Sequence, residues 1–428
     1  MFTILDSIAE AHRKQQSLPA LSIAVATTIG KVLYTRAYGF ADVASHKLAT
    51  SATRFRIYSI SKLYASTLAH RLVQEHRLDL DAPVSRYLPD LPSWRDTVTM
   101  RQLLAHTSGI EDYTDVPGFE QALNAGRRED DRFVALALQQ PLHFLPGSDW
   151  RYSNTGYVLV ERVIERVAGE PFAQALGTYV LALGSLHATS AQCDTSQIAT
   201  GYTPAWRVGL AGDSLVVATP RNAHQYNLAS GGLCSTAPEV AQFVSLLLRR
   251  HFVDSASLAD MTRLVPRGVA SSGAGLFVRA DDEGLILEHS GGGGNGNSEV
   301  MAFPQDSLVF AALANTGGAE LEELIRALRR RILRLPDPVV VDWPVSPEEV
   351  ARLLGTYTNI GRAGRLVVYE QGGRLFALGG RLLKQPDGAF VPDLSRSLRL
   401  AFAYESGIAA EITVSRYGLV EWRSRRRP

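Results

Sequence analysis

Tyr58-Ser59-Ile60-Ser61-Lys62 stands at the head of a long segment of helical periodicity, and the reading of that stretch governs everything around it. On a helix, side chains three residues apart lie on one face, so Ser59 and Lys62 become neighbours. A serine hydroxyl is a poor nucleophile until a base removes its proton, and a desolvated lysine amine can do so. The start of a helix adds unpaired backbone N–H groups and the positive end of the helix dipole, both favourable to developing negative charge. The spacing therefore predicts a covalent nucleophile at Ser59 and its activator at Lys62. Only five lysines occur in the chain, Lys14, Lys31, Lys47, Lys62 and Lys384, so such a pair is less expected by chance than in a lysine-rich protein.

Upstream of this stretch, residues 2–16 carry helical periodicity, and Leu21–Thr27 and Val32–Tyr38 read as strands joined through Ile29-Gly30-Lys31. Downstream, the helix entered at Ser59 continues through Leu63, Leu68 and Leu72 to about Arg77. Shorter helices are expected at Thr99–Ala105, Arg132–Gln140 and Asn154–Gly169, the last closed by Gly169. Residues 170–235 read as loops with short helices. Ser235-Thr236-Ala237-Pro238-Glu239 is a helix-start signature for the helix Val240–Arg250. Strand-like runs follow at Gly275–Arg279, Leu285–His289, Glu299–Phe303 and Leu308–Ala314, then a helix over Leu321–Arg334. This order predicts an α+β domain over residues 1–335: one antiparallel sheet assembled from both ends, helices packed on it, and an inserted helical subdomain.

Residues 336–347, with Leu335-Pro336-Asp337-Pro338 and Trp343-Pro344-Val345-Ser346-Pro347, read as a semi-rigid linker. Residues 348–428 hold eight short strand candidates separated by turn residues, which predicts a small antiparallel barrel or sandwich. The arginine-rich tail from Arg423 reads as a solvated end.

The 428-residue chain has a formal net charge of +1, which gives no pull toward nucleic acid or membrane. No segment approaches a membrane span and no secretory signal is visible, so a cytoplasmic location is the default expectation. Cys193 and Cys234 show neither a disulfide framework nor metal spacing, and read as two partly buried thiols. The histidines show no clustered ligand spacing, so neither metal nor cofactor is expected.

Two later motifs complete the first. Tyr152-Ser153-Asn154 precedes a helix, and His289-Ser290-Gly291 lies where a strand enters Gly291-Gly292-Gly293-Gly294. The ordered set resembles the serine β-lactamase and penicillin-binding-protein superfamily, whose members carry Ser-x-x-Lys, a polar triplet and a Lys-Thr-Gly strand. It looks closest to the branch of class C β-lactamases, D-aminopeptidases and related esterases. Leu103-Leu104-Ala105-His106-Thr107-Ser108-Gly109, Pro146-Gly147 and Ala229-Ser230-Gly231-Gly232-Leu233 extend the resemblance over residues 1–335. The small C-terminal domain resembles the lipocalin-like barrels of some relatives.

The resemblance implies a serine hydrolase working through an acyl-enzyme. Ser59 is then the nucleophile, and Lys62 and Tyr152 share the proton work, the phenol being easier to ionise beside an ammonium. Asn154 holds Lys62 and a substrate amide, and backbone N–H groups of Ser59 and Gly292 serve the oxyanion, with Gly291 allowing close approach. His289 replaces a permanent cation, which leans the expected substrate toward small amides, short peptides or esters read from the amine side. His106 reads as orienting a loop. A sensor that acylates without turnover and an acyltransferase using the same serine are the competing classes, and a homo-oligomer packed through the small domain is compatible with either.

Overall fold

A computed structural model describes residues 2–124, 130–191, 193, 197–204, 216–218, 228–263, 271–281, 284–337, 339, 341–359, 365–378, 380–393, 398–416 and 419–427. The chain divides into two compact units, the first made of Met1–Arg267 and Ser271–Ile325, the second chiefly of Arg326–Pro428.

The first unit is built on an eight-stranded sheet. In chain order its strands are β1 (Ala20–Thr27), β2 (Val32–Asp42), β3 (Lys47–Leu48), β4 (Ser271–Ser272), β5 (Phe277–Asp281), β6 (Gly284–Gly293), β7 (Gly296–Phe303) and β8 (Leu308–Ala314). Their spatial order is β3-β2-β1-β8-β7-β6-β5-β4, with every described neighbour antiparallel. The two ends of the unit meet at the centre, where β1 pairs with β8 from Leu21↔Ala314 to Thr27↔Leu308. All of β8 and nearly all of β1 are buried, so these strands read as continuous apolar runs rather than alternating ones.

The helices of this unit include α1 (Phe2–Gln15) and α5 (Ala237–Leu248), which pack on the sheet, and α2 (Ser61–Gln74), α3 (Met100–Leu104) and α4 (Asn154–Ala168), which pack on one another; α6 (Glu322–Leu333) follows β8 in the chain. Their ends follow local chemistry. Thr99 and Gln102 form a reciprocal capping box on α3, Ser153 caps α4, and Thr236 with Pro238 starts α5. Gly169 closes α4 at φ 72°, a left-handed conformation that costs a residue with a Cβ about 1–2 kcal/mol. α2 runs through the core: Leu63, Leu68 and Leu72 are fully buried, and the Tyr64 ring stacks on Phe243 of α5 at 3.8 Å. Such a helix fixes the position of its first turn because almost nothing along its length can shift.

One sequence expectation is overturned in this unit. Cys193 and Cys234 are joined by a disulfide, not free. They are 41 residues apart, and the pairing follows from a contact no spacing rule encodes: Ser190 and Cys234 exchange backbone hydrogen bonds of 2.9 and 3.0 Å, which brings Cys193 alongside. The strand that carries His289 extends through the glycines: β6 continues to Gly293 in register with β7, pairing Gly291 with Ser298 and Gly292 with Asn297. Much of the stretch 205–227 lies outside the described residues, and with it part of the loops expected over 170–235.

The second unit is a closed eight-stranded antiparallel barrel, β9 (Gly355–Asn359), β10 (Arg365–Gln371), β11 (Arg374–Ala377), β12 (Gly380–Lys384), β13 (Phe390–Pro392), β14 (Leu398–Glu405), β15 (Ile408–Arg416) and β16 (Leu419–Arg426). Tyr357, Leu366, Val368, Leu375, Phe390, Leu400, Ile412 and Val414 fill its core. The arginine-rich tail is a strand and not a solvated end: β16 closes the barrel against β9, with Tyr357 opposite Arg426 and Asn359 opposite Ser424. Closure removes two strand edges at once, which an unpaired tail would leave exposed. Within the stretch read as linker, Ser346 accepts a hydrogen bond from the Glu349 N–H and Pro347 opens a short helix, α7 (Pro347–Leu353), which buries Leu353. No helix among the described residues is long and apolar enough to cross a membrane.

Candidate active site

The nucleophile candidate sits on a strained turn. Tyr58–Ile60 form a single 3₁₀ turn leading into α2, and Tyr58, immediately before Ser59, has φ +46°. Three ties hold that turn in place. The Ile57 N–H donates to Leu233 O at 3.0 Å, Ser298 Oγ donates to Ile57 O at 2.7 Å, and the Tyr58 hydroxyl donates to Asn295 Oδ1 at 2.7 Å. The glycines of β6 and β7 are the counterpart of this turn. A Cβ on Gly291 would lie 2.3 Å from Ile57 O and 3.0 Å from the Ser59 nitrogen, and one on Gly293 would lie 2.4 Å from the Tyr58 ring. The strand edge and the nucleophile turn are in backbone contact, and only glycine fits between them.

Four of the sequence-predicted side chains converge. Lys62 Nζ donates to Ser59 Oγ at 3.1 Å, to Asn154 Oδ1 at 2.8 Å and to the Ser230 carbonyl at 2.5 Å, and the Tyr152 hydroxyl donates to Ser59 Oγ at 2.8 Å. Lys62 is fully buried, and its ammonium lies 4.9 Å from the Tyr152 ring centre and 5.3 Å from that of Tyr157. Burial, opposed by the charge of Asp112, pulls the lysine pKa down to about 7. Burial pushes the Tyr152 phenol well above its ordinary range, and the Ser59 hydrogen bond only partly opposes this. With its pKa lowered, the lysine is the easier base of the two.

His289 and the following glycines are placed differently. The His289 ring is 2% exposed, lies 5.0 Å from the Phe277 ring, and donates from Nδ1 to Ser290 O at 2.6 Å. Burial first, then the charge of Lys62, lower its pKa to about 3 against the help of the Ser290 carbonyl, so the ring is neutral. Gly291 is buried against the nucleophile turn, while Gly292 is open to solvent. His106 stacks on Tyr152 at 4.4 Å and accepts at Nδ1 from the Ser153 N–H at 3.1 Å, so it orients the Tyr152 loop.

Sequence reasoning missed two contributors. Asp112 is a buried carboxylate whose Oδ2 accepts from both the Asn154 N–H at 3.0 Å and Asn154 Nδ2 at 2.9 Å. Its only signal was an acidic residue between Ile110 and Tyr113, both buried apolar side chains. Ser230, within Ala229-Ser230-Gly231-Gly232-Leu233, supplies a carbonyl to Lys62. Glu161 of α4 supports that segment by accepting from the Ala229 N–H at 2.8 Å.

A sequence model of the family described as Beta-lactamase matches residues 5–334. The chain belongs to that family. Among curated relatives, Protein flp of Staphylococcus aureus (strain MW2) is 26% identical over 343 residues, which cover 77% of this chain. The match spans 66% of that relative's length, just under two thirds. Among solved structures, the octameric penicillin-binding protein homologue from Pyrococcus abyssi superposes with TM-score 0.70 at 19% identity and covers 99% of both chains. The D-amino acid amidase from Ochrobactrum anthropi SV3, solved with L-phenylalanine amide, gives TM-score 0.68 at 22% identity, covering 78% of this chain and 98% of its own. At these identities the structural likenesses establish the fold, and the first extends through the C-terminal barrel.

Proposed function

We propose that the chain is a serine hydrolase acting through an acyl-enzyme at Ser59 on amide, peptide or ester bonds, with D-aminopeptidase-like or esterase-like activity. One observation carries this reading: Ser59 Oγ lies within hydrogen-bond reach of both a buried lysine amine and a buried phenol, at 3.1 and 2.8 Å. Near pH 7 a substantial fraction of Lys62 is neutral and can accept the Ser59 proton as Oγ attacks the carbonyl. Tyr152, kept protonated by burial, is placed to hand a proton to the leaving group; Lys62 then reprotonates it. The backbone N–H groups of Ser59 and Gly292 are the proposed oxyanion donors. Water on the same face completes deacylation by the reverse proton path.

The neutral, buried His289 supports substrates without a carboxylate at that position, since an uncharged ring offers no ion pair. The amidase likeness supports small amides among the candidates. We assign the chemistry to residues 1–335, take 336–347 as the connection, and read 348–428 as a lipocalin-like accessory barrel. The octameric Pyrococcus abyssi homologue supports a homo-oligomeric arrangement. The Cys193–Cys234 disulfide favours an oxidising compartment over the cytoplasm.

A fluorophosphonate probe tests the proposal, followed by turnover assays on p-nitrophenyl esters and on D- and L-amino-acid anilides. Labelling that disappears in Ser59→Ala together with multiple turnovers is expected. Labelling without turnover points to a sensor, product formed only with an added alcohol or amine points to a transferase, and labelling that survives Ser59→Ala ends the nucleophile assignment.

A further inference from the structure

Asn154 meets Lys62 through its amide oxygen, and an amide by itself has no reason to present oxygen rather than nitrogen. Its two ends are nearly equal in shape and opposite in hydrogen bonding. The lysine donor favours the oxygen, and the contacts behind the amide enforce the same orientation. Asp112 Oδ2 accepts from Asn154 Nδ2 at 2.9 Å and from the Asn154 backbone N–H at 3.0 Å, while Oδ1 accepts from the Thr114 N–H and the Thr114 hydroxyl, both at 3.0 Å. All four contacts are from donors, which suits an ionised carboxylate with acceptor capacity only. The loop carrying it is pinned to the same helix start, because the Tyr113 N–H donates to Thr155 Oγ1 at 2.8 Å. With Nδ2 committed to the carboxylate, the planar amide must turn Oδ1 toward Lys62 Nζ, where it stands at 2.8 Å.

From this chain of contacts we infer that Asp112 is a positioning residue for the reaction: it locks the Asn154 amide so that its oxygen holds the Lys62 amine against Ser59, and it supplies the buried negative charge facing that amine. The inference rests on the assignment of Lys62 as the base.

The charge has a consequence of its own. Around Lys62 stand Ser59 on its own turn, Tyr152, Asn154 and Tyr157 at the start of α4, the Ser230 carbonyl, His106, His289 and Asp112. Burial keeps both histidines neutral, and the tyrosines stay protonated. Burial raises the pKa of Asp112, opposed by its hydrogen bonds from Asn154 and Thr114 and by Lys62; as the anion facing the ammonium it holds the lysine pKa up against burial. An opposite charge at this range is worth roughly 1–3 pH units.

The test is Asp112→Asn, in which one of the two acceptor oxygens becomes a donor facing either the Asn154 or the Thr114 donors and the negative charge is lost. Wild type is expected to show an acid limb of kcat/KM near pH 7, where Lys62 gains its proton. In Asp112→Asn that limb should move at least about one pH unit lower, and kcat should fall roughly 10²-fold from the misplaced amine. Asp112→Glu, which keeps the charge and shifts the carboxylate by one methylene, should hold the limb at its wild-type position and recover part of kcat. A folded Asp112→Asn whose limb stays at the wild-type pH overturns the inference, whatever its kcat. Should Asp112→Asn fail to fold, Asp112→Glu decides: wild-type kcat, or a displaced limb, overturns it. Failure of the underlying reading looks different, because Lys62→Met would then keep the wild-type rate and acid limb, whatever Asp112→Asn does.

Discussion

At the scale of single residues, the support beneath Lys62 is itself titratable. Glu161 is largely buried on α4 and accepts from the Ala229 N–H, one residue before the carbonyl that binds the lysine amine. Burial raises its pKa to about 7, against the help of the backbone N–H groups of Ala229 and Leu228 and of Arg162. A carboxyl group raised in the folded state stabilises the fold fully below its unfolded pKa, and that contribution is lost as pH rises through the folded value. The window therefore runs from about 4.5 to about 7. Across it the folded protein should lose roughly 3 kcal/mol from this group, at about 1.4 kcal/mol per pH unit. In Glu161→Gln, urea unfolding at pH 5 and pH 8 should show a decline smaller than the wild-type decline by about that amount. Equal declines in the two proteins would remove Glu161 as the cause. Neither Glu161 nor Asp112 was legible in the sequence, since a carboxylate inside an apolar run looks the same whether it is solvated or buried. Ser59, Lys62 and Tyr152 were legible because their types and order match a chemistry, while Asp112 is recognisable only through the amide it grips.

At the scale of elements, local rules carried most of the helices and stopped where tertiary contact overrides them. The caps at Ser153, Thr236 and Gly169 follow from side-chain oxygens and a left-handed glycine. The same logic would have found α7 from Ser346-Pro347 and Glu349, had proline not been read as a linker signal. β6 is the opposite case: four successive glycines resemble a turn, yet the strand continues because Ile57 and Tyr58 occupy the space where side chains would be. Gly291→Ala tests that account. Its Cβ would meet backbone at 2.3 Å and Ser298 Oγ at 2.4 Å, and neither belongs to a flexible chain end. The strand must then move away from the nucleophile turn, taking the Gly292 N–H with it. A loss of at least roughly 10²-fold in kcat/KM with an unchanged far-ultraviolet circular dichroism spectrum is expected. Gly169→Ala is the control: it meets no atom within 4 Å but forces a Cβ into φ 72°, so it should lower stability and leave kcat/KM alone. A fully active Gly291→Ala enzyme would show that the close approach does not matter to the chemistry.

At the scale of the whole molecule, each unit has its own apolar core, and every residue placed at the candidate site comes from the first. Ser59, Lys62, Asp112, Tyr152, Asn154, Ser230, His289 and Gly292 all lie within Met1–Arg267 or Ser271–Ile325. The barrel core runs from Leu353 to Val414 within the second unit, and β16 closes that barrel without borrowing a strand. A closed barrel leaves no sheet edge of its own to complete. Chemistry confined to one unit and closure confined to the other predict that the two can be separated. A chain ending after residue 335 should keep Ser59-dependent fluorophosphonate labelling and turn over the smallest ester substrates within about threefold of the full chain, a tolerance of well under 1 kcal/mol in activation free energy. Discrimination among larger substrates and oligomeric state are the properties free to change, measured by the ratio of kcat/KM values and by light scattering. If the shortened chain folds, as judged by a cooperative thermal transition, yet fails to label at Ser59, the barrel is part of the catalytic apparatus and the assignment of the chemistry to residues 1–335 falls.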